Sequence, residues 1–135
     1  MAEFWSDRPP LFVHRLGRDQ EFKGERFATV DEGDEVTVIS PDPGPQAIGP
    51  YACLTMGPFD LSLVGILAQA STALAQAGVP VFVISTYRHD HILVPYHRQE
   101  EAVRALAREG FERKDRGDGF LPRPTNSRPL CSLNG

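Results

Sequence analysis

The stretch Ala77–Pro95, AGVPVFVISTYRHDHILVP, decides the fold. Its first half is a β-branched and aromatic run, Val79 to Ser85, with Pro80 placed where a strand can start. Its second half, Ile92 to Val94, is another apolar run. Between them stand Thr86, Tyr87, Arg88, His89, Asp90 and His91. Two short apolar runs around a polar segment predict a β-hairpin, and the polar segment falls at its turn.

Helical patterns flank the hairpin on both sides. Upstream, Leu61 to Ala77 carries Leu63, Val64, Ile66, Leu67, Ala70, Ala73, Leu74 and Ala77 at helical spacing. Asp60 suits its N-cap and Gly78 its C-terminal stop. Downstream, His97 to Glu109 reads as a second helix. Ala102, Val103, Leu106 and Ala107 are expected to face inward, with Glu100 paired to Arg104 and Gly110 as the stop. Tyr51 to Met56 precedes the first helix as an apolar strand, and Phe111 to Lys114 can follow the second as a returning strand. The order over 50–114 is strand-helix-strand-strand-helix-strand. This is the α+β, ferredoxin-like βαββαβ arrangement, with both helices on one sheet face and the other face left for a partner.

The N-terminal part is different. Residues 1–10 read as a flexible lead-in ending in Arg-Pro-Pro. Leu11–Leu16, Arg26–Val30 and Glu35–Ile39 read as strands, the last two joined by the turn Asp31-Glu32-Gly33-Asp34. Residues 17–25 are polar and lack helical period. Residues 11–40 are therefore expected to be a degraded copy of the later unit, with an unrelated three-stranded extension as the other reading. Pro41 to Pro45 opens a linker over 41–49. From 115 to 135 the chain is rich in Gly, Pro, Arg and Asn, and is expected to be a flexible tail.

Composition bounds the function. The chain has 135 residues, 41% hydrophobic and 24% charged, with a net charge of −4. That balance gives no overall attraction to nucleic acid or anionic membrane. Arg98, Arg104, Arg108, Arg113, Arg116, Arg123 and Arg128 gather late, but glutamates interleave with most of them, as on a solvated face. The first residues are polar and acidic rather than a secretory signal, and no apolar stretch is long enough to span a bilayer. Cys53 and Cys131 match no metal or redox spacing, which fits free thiols in a cytoplasmic protein.

Several segments resemble a known family. Gly57-Pro58-Phe59-Asp60-Leu61-Ser62-Leu63-Val64-Gly65-Ile66-Leu67 opens a helix, Ala77 to Tyr87 follows, and then Asp90-His91-Ile92-Leu93-Val94-Pro95. Together they resemble small bacterial ACT-domain proteins with tandem ACT-like units, and the ACT units of aspartokinase regulatory regions and cytosolic arginine sensors. The resemblance covers about 50–114 well and 10–40 weakly. It implies a βαββαβ fold, side-by-side sheet pairing in homodimers, and binding of a small ligand, usually an amino acid, by a regulatory module that is not an enzyme. It implies no cofactor. The ligand-binding region so implied comprises Gly57, Phe59, Asp60, Ser62, Thr86, Tyr87 and Asp90. Arginine-sensing relatives use an acidic residue before the Gly-Ile of the first helix; Leu63-Val64 stand there in this chain, which speaks against arginine as the ligand.

The residues of the polar turn permit three readings. Catalysis lacks a nucleophile, and strand alternation puts His89 and His91 on one face and Asp90 on the other. A metal site would have only the imidazoles of His89 and His91, with His97 nearby. Recognition of a zwitterion would set the amides of a helix start against a carboxylate and Asp90 against an ammonium. Against this stands a plain structural role, with Asp90 capping the hairpin, Tyr87 on the sheet, and the chain serving as a ligand-free interaction domain.

Overall fold

A computed structural model describes residues 3–6, 8–57 and 65–114. The described residues divide into two compact units, one from the segments up to Arg8 and from Tyr51 onward and one of residues 9–50. Along the chain the elements are β1 (Glu3–Trp5), β2 (Leu11–Gly17), β3 (Ala28–Asp31), β4 (Glu35–Ser40), β5 (Ile48–Met56), α1 (Ile66–Gln76), β6 (Phe82–Ser85), β7 (Asp90–Pro95), a 3₁₀ turn (Tyr96–Arg98), α2 (Gln99–Arg108) and β8 (Glu112–Arg113).

In the first unit β5, α1, β6, β7, α2 and β8 follow one another as the sequence predicts. β5 pairs antiparallel with β7, and β7 with β6. The strand next to β8 is not β5. The expected loose lead-in contains β1, which lies between the two: Phe4 stands opposite Met56 in antiparallel pairing, and Glu3 opposite Glu112 in parallel pairing. The Lys114 backbone N–H donates to the Phe4 carbonyl at 2.8 Å. The Arg113 guanidinium donates to Ser6 Oγ at 2.6 Å. A tripeptide with one apolar side chain gives no periodicity to read, so only tertiary pairing reveals this strand.

The core follows from strand alternation. Leu54, Met56, Ile92 and Val94 point to one face with Phe4, and Ala70, Leu74, Ala102 and Leu106 of the two helices cover them. The inward face of α2 uses Ala105 where Ala107 was expected; Ala107 is exposed. The other face was expected to be bare. Cys53, Thr55, His91 and Leu93 on it are instead buried.

Both helices stop by the same device. The Gly78 N–H bonds the Ala75 carbonyl and the Val79 N–H the Leu74 carbonyl; the Gly110 N–H bonds Ala107 and the Phe111 N–H bonds Leu106. These are paired Schellman motifs. Each needs a left-handed residue, supplied by Gly78 at φ 72° and Gly110 at φ 92°. Val79 is spent in the first motif, so β6 starts at Phe82 rather than at Val79. Arg98 ties the end of α1 to the start of α2. Its guanidinium donates to the Gly78 carbonyl at 2.6 Å and grips Glu101 through two hydrogen bonds of 2.9 and 2.7 Å. That contact holds the Glu101 carboxyl below its usual range. Glu100 reaches Arg113 at 3.7 Å, and not the expected Arg104.

The second unit holds β2, β3 and β4. β2 pairs with β4 and β3 with β4, all antiparallel. Residues 18–27 carry no regular helix, as their missing periodicity predicts. Arg18 pairs with Asp31, whose carboxyl is lowered first by that hydrogen bond and then by the Gly33 N–H. The expected linker is shorter than 41–49, because Ile48 already belongs to β5. The tail from 115, with Cys131, Arg116, Arg123 and Arg128, lies outside the described residues.

Candidate functional site

The polar turn is built from its backbone. The Thr86 N–H donates to the His89 carbonyl at 2.8 Å, and the His89 N–H donates to Thr86 Oγ1 at 3.3 Å. Thr86 therefore closes the turn on both sides, as hydroxyl residues do. Tyr87, at the tip, is 78% exposed and packs on no sheet face.

Strand β7 begins at Asp90, two residues earlier than predicted. Asp90 stands opposite Ser85 on one side and Met56 on the other. Its carboxylate Oδ1 accepts a 2.6 Å hydrogen bond from Ser85 Oγ. By alternation it shares the helix-covered side with Ile92 and Val94. Gly57 directly follows Met56 and has φ 124°, a conformation open to glycine. Asp90, Ser85 and Gly57 thus meet at the end of the sheet from which the chain leaves towards α1. Phe59, Asp60 and Ser62, expected as ligand-region residues, and the Asp60 cap lie outside the described residues. α1 itself begins at Ile66, with Gly65 as its N-cap at φ 89°, so no unbroken helix runs from Leu61.

Strand alternation was expected to put His89 and His91 on one face, as solvent or interface groups. They share a face, with ring centroids 5.9 Å apart, but His89 is half-buried and His91 is buried. His91 is 5% exposed, and its Nδ1 lies 3.0 Å from Thr55 Oγ1; Cys53 Sγ is 3.6 Å from that oxygen. The earlier start of β7 explains the difference, since it places His91 inside the ladder opposite Thr55. Ser85 and Thr55 escaped the sequence reading. The signal that could have found Ser85 is its place across the turn from Asp90. Among the described residues no group of three His, Cys, Asp or Glu side chains converges as a metal would need.

Two clefts are lined wholly by described residues. One, of about 400 Å³, runs along α1 and is lined by Gly65, Gln69, Thr72, Gln76 and Glu109 among others. The other, of about 290 Å³, belongs to the second unit and is lined by His14, Gln20 and Gly44–Ala47 with Arg15 and Leu16. Neither is lined by Thr86, Tyr87 or Asp90.

Residues 50–108 match the model of the ACT domain family, which supports an ACT domain over that stretch. A crystal structure of a protein from Agobacterium tumefaciens is similar, with TM-score 0.70 at 20% identity over 94% of this chain and 98% of that one. A protein of unknown function from Vibrio cholerae, described as a possible transport protein, has TM-score 0.65 at 21% identity over 79% of this chain and 88% of that one. At such identities the likeness shows the fold. No curated protein matches the chain. ACT domains are typically small-molecule regulatory modules and not catalytic ones, and no helix among the described residues is long and apolar enough to cross a membrane.

Proposed function

We propose that this protein is a cytoplasmic regulatory module that binds an amino acid where Gly57, Ser85 and Asp90 meet, and that it works as a homodimer. The observation that carries the reading is the register of Asp90 against Met56, which brings a carboxylate next to a glycine with positive φ at the start of the connection to α1. Asp90 then holds the ligand ammonium. The ferredoxin-like reading of 50–114 is supported by the order β8-β1-β5-β7-β6, which becomes the usual four-strand order once β1 is set aside. A tandem origin is supported by the second unit, in which β2, β4 and β3 neighbour one another as β5, β7 and β6 do. Residues 18–27 stand there in place of a helix.

The test is a thermal-shift screen across the common amino acids, since a ligand that binds only the folded state raises its stability. For the amino acid that binds, Asp90→Asn keeps the turn and removes the charge. A charge-assisted hydrogen bond of roughly 1.5–3 kcal/mol then corresponds to a loss of about ten- to a hundred-fold in affinity. Equal binding by Asp90→Asn refutes the assignment.

One observation favours a second reading, a ligand-free interaction domain. β6 pairs only with β7 among the described strands, and Val81, Phe82 and Tyr87 beside it are 39%, 36% and 78% exposed. Such an edge can add a strand from another chain. No thermal shift with any amino acid, together with a concentration-dependent dimer that Phe82→Lys dissociates, selects this reading.

A further inference from the structure

The second unit holds a polar cleft that the reading above does not use. His14 lies in β2 and is 8% exposed. Its Nε2 is 2.8 Å from the Asp42 backbone carbonyl oxygen. A carbonyl only accepts, so Nε2 carries a proton; in the tautomer with that single proton the ring has a lone pair at Nδ1. The Phe22 ring packs edge-on at 4.7 Å and holds the imidazole plane. No described residue hydrogen-bonds Nδ1, yet it is not a sealed and unsatisfied atom. His14 lines the 290 Å³ cleft of this unit, with Gly44 beside its Nδ1 edge.

Gly44 keeps that edge clear. A Cβ built there meets His14 Cε1 at 3.0 Å and Nδ1 at 3.2 Å, so any side chain at 44 would sit on the lone pair. The other polar groups of the cleft are neutral amides. Gln20 accepts from the Gly17 N–H through Oε1 at 3.2 Å, which turns its NH₂ outward as a donor, and Gln46 adds a second amide. The one formal charge on the lining, Arg15, is paired with Glu35 at 2.8 Å.

We propose that this cleft is a binding site for a small uncharged carboxamide. Its N–H donates to His14 Nδ1 and its carbonyl accepts from the glutamine amides. The lining has one buried acceptor, neutral donors and no unpaired charge, and a ligand lacking the matching N–H would leave Nδ1 unpaired. At about 290 Å³ the cleft is at the lower end of small-molecule sites, so the ligand is small.

The experiment follows the imidazole ¹⁵N resonances of the full chain by NMR during titration with butyramide, and with butyrate and butylammonium as charged counterparts. In the free protein His14 Nδ1 should carry no proton. Butyramide should shift that resonance saturably, and butyrate should bind about tenfold or more weakly. Gly44→Ala should weaken butyramide binding by a similar factor, and Asp90→Asn, in the other unit, should leave it unchanged. A protonated Nδ1 in the free protein, a His14 resonance that butyramide does not move, or butyrate binding equal to butyramide each overturns the proposal.

Discussion

Replacing Phe4 by Ala should remove a large part of the first unit's stability, although the residue stands in a tripeptide strand near the start of the chain. Phe4 is 0% exposed and belongs to the main core, facing Met56 across the ladder. A buried Phe covers roughly 150–250 Å². Truncation to Ala loses most of that transfer free energy and leaves a cavity, at a cost of about 3–5 kcal/mol. Domains of this size are stable by only about 5–15 kcal/mol. A loose lead-in would instead tolerate the change within about 0.5 kcal/mol. Urea unfolding followed by fluorescence is the assay. Trp5, the only tryptophan, occupies the same strand, so the signal reports whether β1 stays docked. Phe82→Ala, at a residue 36% exposed, is the control and should cost far less. A Phe4→Ala protein with the parent's midpoint and slope would refute the reasoning.

Four further outcomes can be checked. A fragment of residues 48–117 lacks β1 and should show no cooperative melt, and adding a peptide of residues 1–8 should restore one, visible by circular dichroism. Gly78→Ala and Gly110→Ala each force a side chain into the left-handed region, so each should lower stability by about 1–2 kcal/mol in denaturant titration. Thr55→Val takes a hydrogen-bonding group from the buried His91 and should cost about 1 kcal/mol in the same measurement. Glu101 and Asp31 have carboxyls lowered by Arg98 and Arg18. A lowered carboxyl stabilises fully above its unfolded value near 4 and loses that contribution as pH falls through the folded value. Melting temperature should therefore drop on acidification below about pH 4–5, and less steeply in Glu101→Gln.

The sequence made legible those parts that repeat a pattern or follow a strong local rule. The periodicity of 61–77 and 97–109 marked the helices, and Gly78 and Gly110 marked their ends. The run 77–95 marked the hairpin. What it hid depends on pairing partners far along the chain. Glu-Phe-Trp has no period, so β1 was unreadable. The two-residue shift in the start of β7 set His91 inside the ladder rather than in the turn, because neighbouring polar residues do not show where pairing begins. Of the candidate site, the nearness of Asp90 to Gly57 follows from the βαββαβ order. Ser85 on Asp90 is a side-chain geometry that residue types alone do not announce.

The placement of β1 also sets a timetable for synthesis. On the ribosome β1 is made before every other described strand and is among the last to find its place. Phe4 leaves the exit tunnel long before Met56, and its other flank waits for Glu112 and Arg113. At roughly 5–20 residues per second this leaves an apolar side chain unburied for several seconds. The strands β2, β3 and β4 pair with one another within 11–40, and can do so while the first unit is still incomplete. The two ends of the described chain are thus joined last, and the nascent protein has most need of a chaperone in that interval.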